Sequence, residues 1–296
     1  MSQTLRIRDY PLRELNSWGC GGRCLWFAAP ASADEAAGLI RSSANDGTPL
    51  FVLGGGSNVL VQEGQIEAGV LSSSNLADVT AEAGDGCVYV QTGAGFSVKA
   101  LLALSFANGW GGTEFLTGIP GTVGGALFGN AGADGRSFAP SVESITAVTE
   151  DGEVRKWERG ELAWRYRNSP WERPPLFITG ASFRFPLDNK QNIIKNIRHF
   201  AKLKKSQPIG AMTAGCVFKN PAGNAAGALL DSCGCKELFV GEARVCPSHA
   251  NFIENRGGAK ADDIFKLAEL CRARVFDRYG IRLEYEIKII GEFPAL

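Results

Sequence analysis

Histidine is scarce in this chain: His199 and His249 are the two in 296 residues. The eight cysteines, at 20, 24, 87, 216, 233, 235, 246 and 271, include no C-x-x-C pair. With so few imidazoles and no knuckle spacing, no metal centre is expected. An excess of either charge is also missing. Lys plus Arg and Asp plus Glu stand at 31 each, so no global field draws the chain toward nucleic acid or an anionic membrane. No apolar run approaches the about 18 residues a membrane span needs. The segment Met-Ser-Gln-Thr-Leu-Arg-Ile-Arg-Asp has neither an apolar core nor a small-residue cleavage site, so no secretory signal is read there. Together these absences lead us to expect a cytoplasmic protein with reduced thiols. No heptad or large apolar stripe calls for a second copy, and a monomer is expected.

Glycine, by contrast, is plentiful and clustered. Gly118-Ile119-Pro120-Gly121-Thr122-Val123-Gly124-Gly125-Ala126 runs on to Asn130-Ala131-Gly132. Such a backbone can adopt positive φ and lie flat against a ligand, while Pro120 fixes one φ and keeps the loop shaped. Successive N–H groups in such turns make a concavity suited to phosphate oxygens. The spacing matches neither a P-loop nor a dinucleotide G-x-G-x-x-G, and alone the stretch reads equally well as a structural turn. A second cluster decides between the two. Pro49–Leu53 reads as a short buried strand, followed at once by Gly54-Gly55-Gly56-Ser57-Asn58 and then Val59-Leu60-Val61. Two loops of bare backbone suggest a long ligand with a diphosphate in its middle.

Local signals place the remaining elements. Ser32-Ala33-Asp34-Glu35 is a capping-box pattern opening a helix to about Ala44. Cys87–Thr92 alternates like a strand, and Ser97 caps a helix Val98–Asn108 that Gly109 ends. Val142–Thr149 and Val154–Glu158 form a hairpin. Asn192–Lys205 reads as an amphipathic helix whose Lys202-Leu203-Lys204-Lys205 run is a solvated face. Gly223–Cys233 looks helical. Asp262–Tyr279 is the clearest helix, with Ile264, Leu267, Ala268, Cys271, Val275 and Tyr279 on one stripe. Leu283–Ile290 is the last strand. It carries Glu284, Glu286 and Lys288 on one face and Leu283, Tyr285 and Ile287 on the other.

The blocks GGGSNVLV and TGIPGTVGGALFGNAGA resemble the UDP-N-acetylenolpyruvoylglucosamine reductase (MurB) family. The likeness continues at Tyr166-Arg167-Asn168-Ser169, Gly215-Cys216-Val217-Phe218-Lys219-Asn220-Pro221, His249-Ala250-Asn251-Phe252 and Leu283-Glu284-Tyr285-Glu286. It spans roughly residues 15 to 292 in the expected order. The resemblance implies an α+β fold: a two-part FAD-binding region of the PCMH/vanillyl-alcohol-oxidase type and a C-terminal α+β substrate domain. The divisions it suggests are 1–68, 69–187 and 188–296. The short chain looks like the compact subtype without an extra substrate-covering loop.

By the same resemblance, the activity is NADPH-dependent reduction of UDP-N-acetylglucosamine enolpyruvate to UDP-N-acetylmuramate, in peptidoglycan precursor synthesis. Non-covalent FAD would be held by Gly54, Gly55, Gly56, Ser57 and Asn58 in one loop. The second loop would add Ile119, Pro120, Gly121, Thr122, Gly124 and Gly125, then Asn130 and Ala131. Hydride addition to the methylene carbon builds negative charge on the adjacent carbon and its carboxylate. That calls for cationic or hydrogen-bonding groups and for an acid. Arg167 matches the family's arginine; read from the residues alone, a surface arginine near Arg165 and Arg173 is the favoured reading. Glu286 matches the family's glutamate and is preferred to Glu284 on that ground. Cys216 stands where the family usually has serine. An ordinary thiol, with a pKa of about 8.5, is mostly protonated at neutral pH and more acidic than an alcohol, so it is a competent donor. Lys219 and Asn220 are candidate substrate ligands, and His249 and Asn251 either line the same pocket or are structural. Asn16 and Arg23 lie where the family's N-terminal block is altered.

Other readings remain open on the residues alone. One is another FAD-dependent oxidoreductase of the same fold, such as an oxidase of alcohols or sugars; a histidyl–flavin link is unavailable, because no histidine precedes His199. Another is a non-catalytic UDP-sugar-binding homologue. A cysteine hydrolase using Cys216 and His249 has no identifiable third orienting group.

Overall fold

The fold comes from a computed structural model, which describes residues 5–171, 177–208 and 210–294. Arg173 and the first four residues of the N-terminal segment therefore lie outside the described residues. Contacts divide the chain into two compact units: Met1–Ile7, Trp26–Gly55 and Ala68–Lys205 in the first, and Arg8–Leu25, Gly56–Glu67 and Ser206–Leu296 in the second.

The first unit is built on a five-stranded antiparallel sheet. Its order is Val154–Glu158, Val142–Val148, Phe177–Pro186, Cys87–Gly93, Val79–Gly84. The sequence FITGASFRFP explains the third of these strands: Phe177, Phe183 and Phe185 are fully buried, while Arg184 and Pro186 are exposed. Alternation of this kind gives a sheet one apolar face. Phe183 stacks on Phe185 with centroids 5.5 Å apart, and Phe138 bridges Phe183 and Phe115 at 5.3 and 5.4 Å. Ser97 caps the helix Val98–Asn108 by accepting from Ala100 N, and Gly109 ends it in the left-handed region at φ 73°. The helix Ala33–Asn45 is capped by Ser32, and Glu35 reaches back to Ala31 N at 2.9 Å.

In the second unit, a three-stranded antiparallel sheet (Phe239–Val240, Ala243–Val245, Ile253–Asn255) packs with the helix Ala261–Tyr279. Ile264, Leu267, Ala268, Cys271 and Val275 are buried as the stripe predicts. Tyr279 departs from it. The last turn runs past the core, leaving this ring 41 % exposed with its hydroxyl 2.8 Å from Ser232 Oγ.

Several boundaries differ from expectation, each for a local reason. The strand Leu50–Leu53 lies at a sheet edge, paired in parallel with Gln65–Ser72, and only Leu53 is buried. The expected helix at Gly223 starts later, as Ala226–Ser232: Gly223 is in the left-handed region at φ 74°, and Asn220 Oδ1 accepts from Ala226 N at 2.9 Å. Asn189 caps the helix Lys190–Leu203 by accepting from Asn192 N. The last strand is regular only over Lys288–Ile290, preceded by a single bridge between Phe218 and Tyr285.

Candidate active site

In the first unit Gly54 and Gly55 face Gly121 and Thr122. A β-carbon at Gly55 would lie 2.8 Å from Gly121 Cα, and one at Gly54 would lie 2.7 Å from Thr122 Oγ1. Both contacts are shorter than van der Waals approach allows, so only glycine lets the loops come this close. Thr122 also caps the short helix Val123–Phe128, accepting from Gly125 N. Lys204, expected in solvent, instead donates to Thr117 O at the base of the second loop. Its charge was legible; its direction depends on the packing of the Lys190–Leu203 helix, for which sequence carries no signal.

Arg167 is tied to the same loop. Its Nη1 and Nη2 donate to Asn130 O at 3.3 Å and Gly132 O at 2.8 Å, and its guanidinium lies 5.3 Å from the Tyr166 ring centroid. The turn that presents it is tight, with a bridge between Arg165 and Asn168 and Arg167 itself at φ 48°. A non-glycine residue held there is a strained conformation that surrounding contacts must impose. Asn130, at φ 42°, is buried; Nδ2 donates to Arg165 O at 2.7 Å, while Oδ1 has no partner among the described residues.

The second unit assembles Cys216, Lys219 and Glu286. The chain from Cys216 to Lys219 runs antiparallel to Glu284–Ile287. Lys219 N donates to Glu284 O at 2.9 Å, Glu286 N donates to Val217 O at 2.8 Å, and Phe218 stacks on Tyr285 at 5.2 Å. Asn58 holds the second of these segments: Nδ2 donates to Glu286 O at 3.1 Å, and its carbonyl accepts from Lys288 N at 2.9 Å. Next to it, Val59–Val61 pairs in parallel with Lys288–Ile290. The end of the first glycine motif thus positions the glutamate strand, a role its sequence context did not reveal. Glu286 is half-buried. Glu284, by contrast, keeps 77 % of its side chain exposed and pairs with Lys219 at 3.4 Å. Burial, and secondarily the Lys219 charge, push the Lys288 pKa below that of an ordinary lysine.

Asn251 and His249 brace this arrangement. Asn251 Oδ1 accepts from Phe218 N at 2.9 Å and Nδ2 donates to Phe218 O at 2.8 Å, both in buried surroundings. His249 Nδ1 accepts from Asn251 N at 3.3 Å, and its ring packs edge-on to Phe252. Burial lowers the His249 pKa below the usual histidine value. A neutral imidazole occupied in this way is a poor partner for a thiolate–imidazolium pair. Asn220 caps the Ala226–Ser232 helix, and Asn16 braces its own turn by donating to Leu12 O and Cys20 O. Replacing Asn251 by alanine is expected to lower stability by about 2–4 kcal/mol, because two buried Phe218 backbone groups lose their partners. Urea unfolding followed by far-UV circular dichroism measures this.

Residues 207–290 match the model of the UDP-N-acetylenolpyruvoylglucosamine reductase C-terminal domain, and residues 25–158 match an FAD binding domain. The UDP-N-acetylenolpyruvoylglucosamine reductase of Geobacter metallireducens is 40 % identical over 287 residues, 97 % of this chain and 94 % of that protein. This chain belongs to the UDP-N-acetylenolpyruvoylglucosamine reductase family. The Chloroflexus aurantiacus reductase is 34 % identical and covers 95 % of this chain and 96 % of its own. A crystal structure of the reductase from Thermus caldophilus superposes with a TM-score of 0.80 at 30 % identity, covering 99 % of this chain and 100 % of that one. The α+β flavin-domain fold and the membership of a reductase family therefore stand as expected from the motifs.

The residues fit the FAD that such a domain carries. The seam from Gly54–Gly55 to Gly121–Thr122 has no room for β-carbons, and in the same glycine-rich stretch as Gly121 the buried Asn130 Oδ1 has no partner among the described residues. Among the described residues, no cluster of His, Cys, Asp or Glu could hold a metal ion. No described helix is long and apolar enough to cross a membrane. The eight cysteines form no disulfide among the described residues.

Proposed function

We propose that this reductase-family chain converts UDP-N-acetylglucosamine enolpyruvate to UDP-N-acetylmuramate, with NADPH as the source of reducing equivalents. FAD, held non-covalently, supplies the hydride chemistry that links the nicotinamide to the enolpyruvyl methylene carbon. Gly54 to Asn58 and Ile119 to Ala131 would hold it through bare backbone N–H groups, which suit a pyrophosphate.

The chain's own side chains deal with charge and protons. Addition at the methylene carbon leaves negative charge on the neighbouring carbon and its carboxylate. Arg167 grips that carboxylate, and its anchors on Asn130 O and Gly132 O hold the guanidinium in place before substrate arrives. Preorganised charge of this kind costs no rearrangement during the reaction. Cys216 Sγ–H delivers the proton to the carbon bearing the carboxylate, and the thiolate regains a proton from water. Glu286 steadies the same centre by hydrogen bonding. Lys219 and Asn220 bind the polar part of the substrate.

The observation that best supports this reading is the backbone pairing of Cys216–Lys219 with Glu284–Ile287, fixed by Asn58. It sets Val217, the residue after the proposed acid, opposite Glu286, and Lys219 opposite Glu284. Product analysis in D2O tests it: one solvent deuterium is expected on the carbon next to the carboxylate, with nicotinamide consumed only when the enolpyruvyl sugar is present. Nicotinamide oxidation that ignores the sugar would sink the assignment. Arg167→Ala is expected to lower kcat/KM per bound flavin by about 10²–10³-fold, as steady-state kinetics on the flavin-loaded variant will show.

A further inference from the structure

A cavity of about 330 Å³ opens in the first unit. None of its lining residues belongs to the two glycine loops or to the residues assigned to the reaction. Strand register separates it from the glycine seam. Pro186 pairs with Cys87 at the cavity end, whereas Gly180 pairs with Gly93 at the other, next to Ala94, which packs on Gly124. From Gly180 to Pro186 is six residues, about 20 Å of strand.

Phe115, Pro140 and Pro186 give the cavity an apolar wall, while Arg136, Arg184 and Ser141 give it a polar one. Ser141 is only 8 % exposed. Its backbone is committed: its N–H donates to Phe138 O at 2.8 Å, and its carbonyl accepts from Arg184 N at 2.7 Å. Its side chain lines the cavity. A hydroxyl on a cavity wall can donate to a bound anion. Among the described residues neither of the two arginines on its wall forms an ion pair with a carboxylate. Arg184 lies against the Cys87 and Tyr89 side chains, both neighbours in the sheet rather than acidic residues.

We propose that this cavity binds a small phosphate monoester. The phosphate sits between the guanidiniums of Arg136 and Arg184 and takes a hydrogen bond from Ser141, and the organic group lies on Phe115, Pro140 and Pro186. Two guanidinium forks match a dianionic oxyanion in charge and in planar geometry. The volume is at the lower end of small-molecule pockets, which restricts the organic group to about the size of one ring. The Arg136–Ser137 strand pairs with Gly132–Ala133, and Gly132 O holds Arg167. An occupant would therefore touch one side of the hairpin whose other side carries a reaction residue's anchor.

The test is calorimetric titration of phenyl phosphate into the flavin-loaded protein. Saturable binding at one site is expected, weakened about tenfold or more by Arg136→Gln and by Arg184→Gln, and by a smaller factor by Ser141→Ala. Inorganic phosphate, which lacks the ring, should bind more weakly than phenyl phosphate. Arg136 and Arg184 are exposed, so their substitution should leave the flavin spectrum and melting temperature unchanged, and both are measured alongside. Absence of saturable binding overturns the proposal. So does binding that persists in the Arg136→Gln/Arg184→Gln double variant, since the probe would then occupy another phosphate-accepting site.

Discussion

Replacing Cys216 by alanine is expected to lower product formation by about 10²–10⁴-fold, the usual contribution of a positioned general acid, while NADPH still reduces the flavin at the parental rate. The two half-reactions separate because the thiol is needed only when a proton must reach the substrate carbon. Cys216→Ser is expected to keep most turnover, since a hydroxyl has a transferable proton on an atom of similar reach. Cys216 is half-buried and the pairing around it uses backbone atoms, so neither change should unfold the second unit. Rapid-mixing kinetics of each half-reaction distinguish the outcomes. An alanine variant that forms product like the parent would show that the proton comes from elsewhere.

The second large effect concerns the seam between the glycine loops. Gly55→Ala places a β-carbon 2.8 Å from Gly121 Cα and 3.3 Å from Gly121 C. Both are backbone atoms, so no side chain can rotate away, and the loops must part. Overpacking of this kind costs about 1–3 kcal/mol, or roughly ten- to hundredfold in flavin affinity at room temperature. Gly47→Ala serves as the control for loop glycines in general, because nothing lies within 4 Å of a β-carbon there, although φ is 66°. Flavin retained through gel filtration reports the difference: Gly55→Ala should emerge depleted, Gly47→Ala yellow.

Much of this was legible in the sequence where the signal is local. Ser97 and Gly109 bound their helix as written, because a cap needs only the residues beside it. The glycine loops were legible as backbone that must come close to something, though not that they come close to each other. What escaped was everything set by distant packing. Lys204 looked like part of a solvated run, and its contact with Thr117 O depends on where the helix Lys190–Leu203 lies. Asn251 gave no sign that it clasps both backbone atoms of Phe218, a partner 33 positions away in the chain. Asn58 was read with the cofactor loop, yet its side chain holds the backbone of Glu286. The alternation in Leu283–Ile287 correctly separated buried Leu283 and Ile287 from exposed Glu284. It overstated the strand itself, since a single bridge and a few hydrogen bonds replace a ladder there.

In the proposed function one chain passes reducing equivalents from NADPH, through bound FAD, to an enolpyruvyl sugar. Anaerobic stopped-flow absorbance tests it most directly, with NADPH mixed first and UDP-N-acetylglucosamine enolpyruvate second. NADPH is expected to bleach the flavin bands, and they should return only when the enolpyruvyl sugar is added. Flavin bands that stay bleached in the presence of the sugar would contradict the assigned substrate, and a protein that never takes up FAD would contradict the reading of both glycine loops.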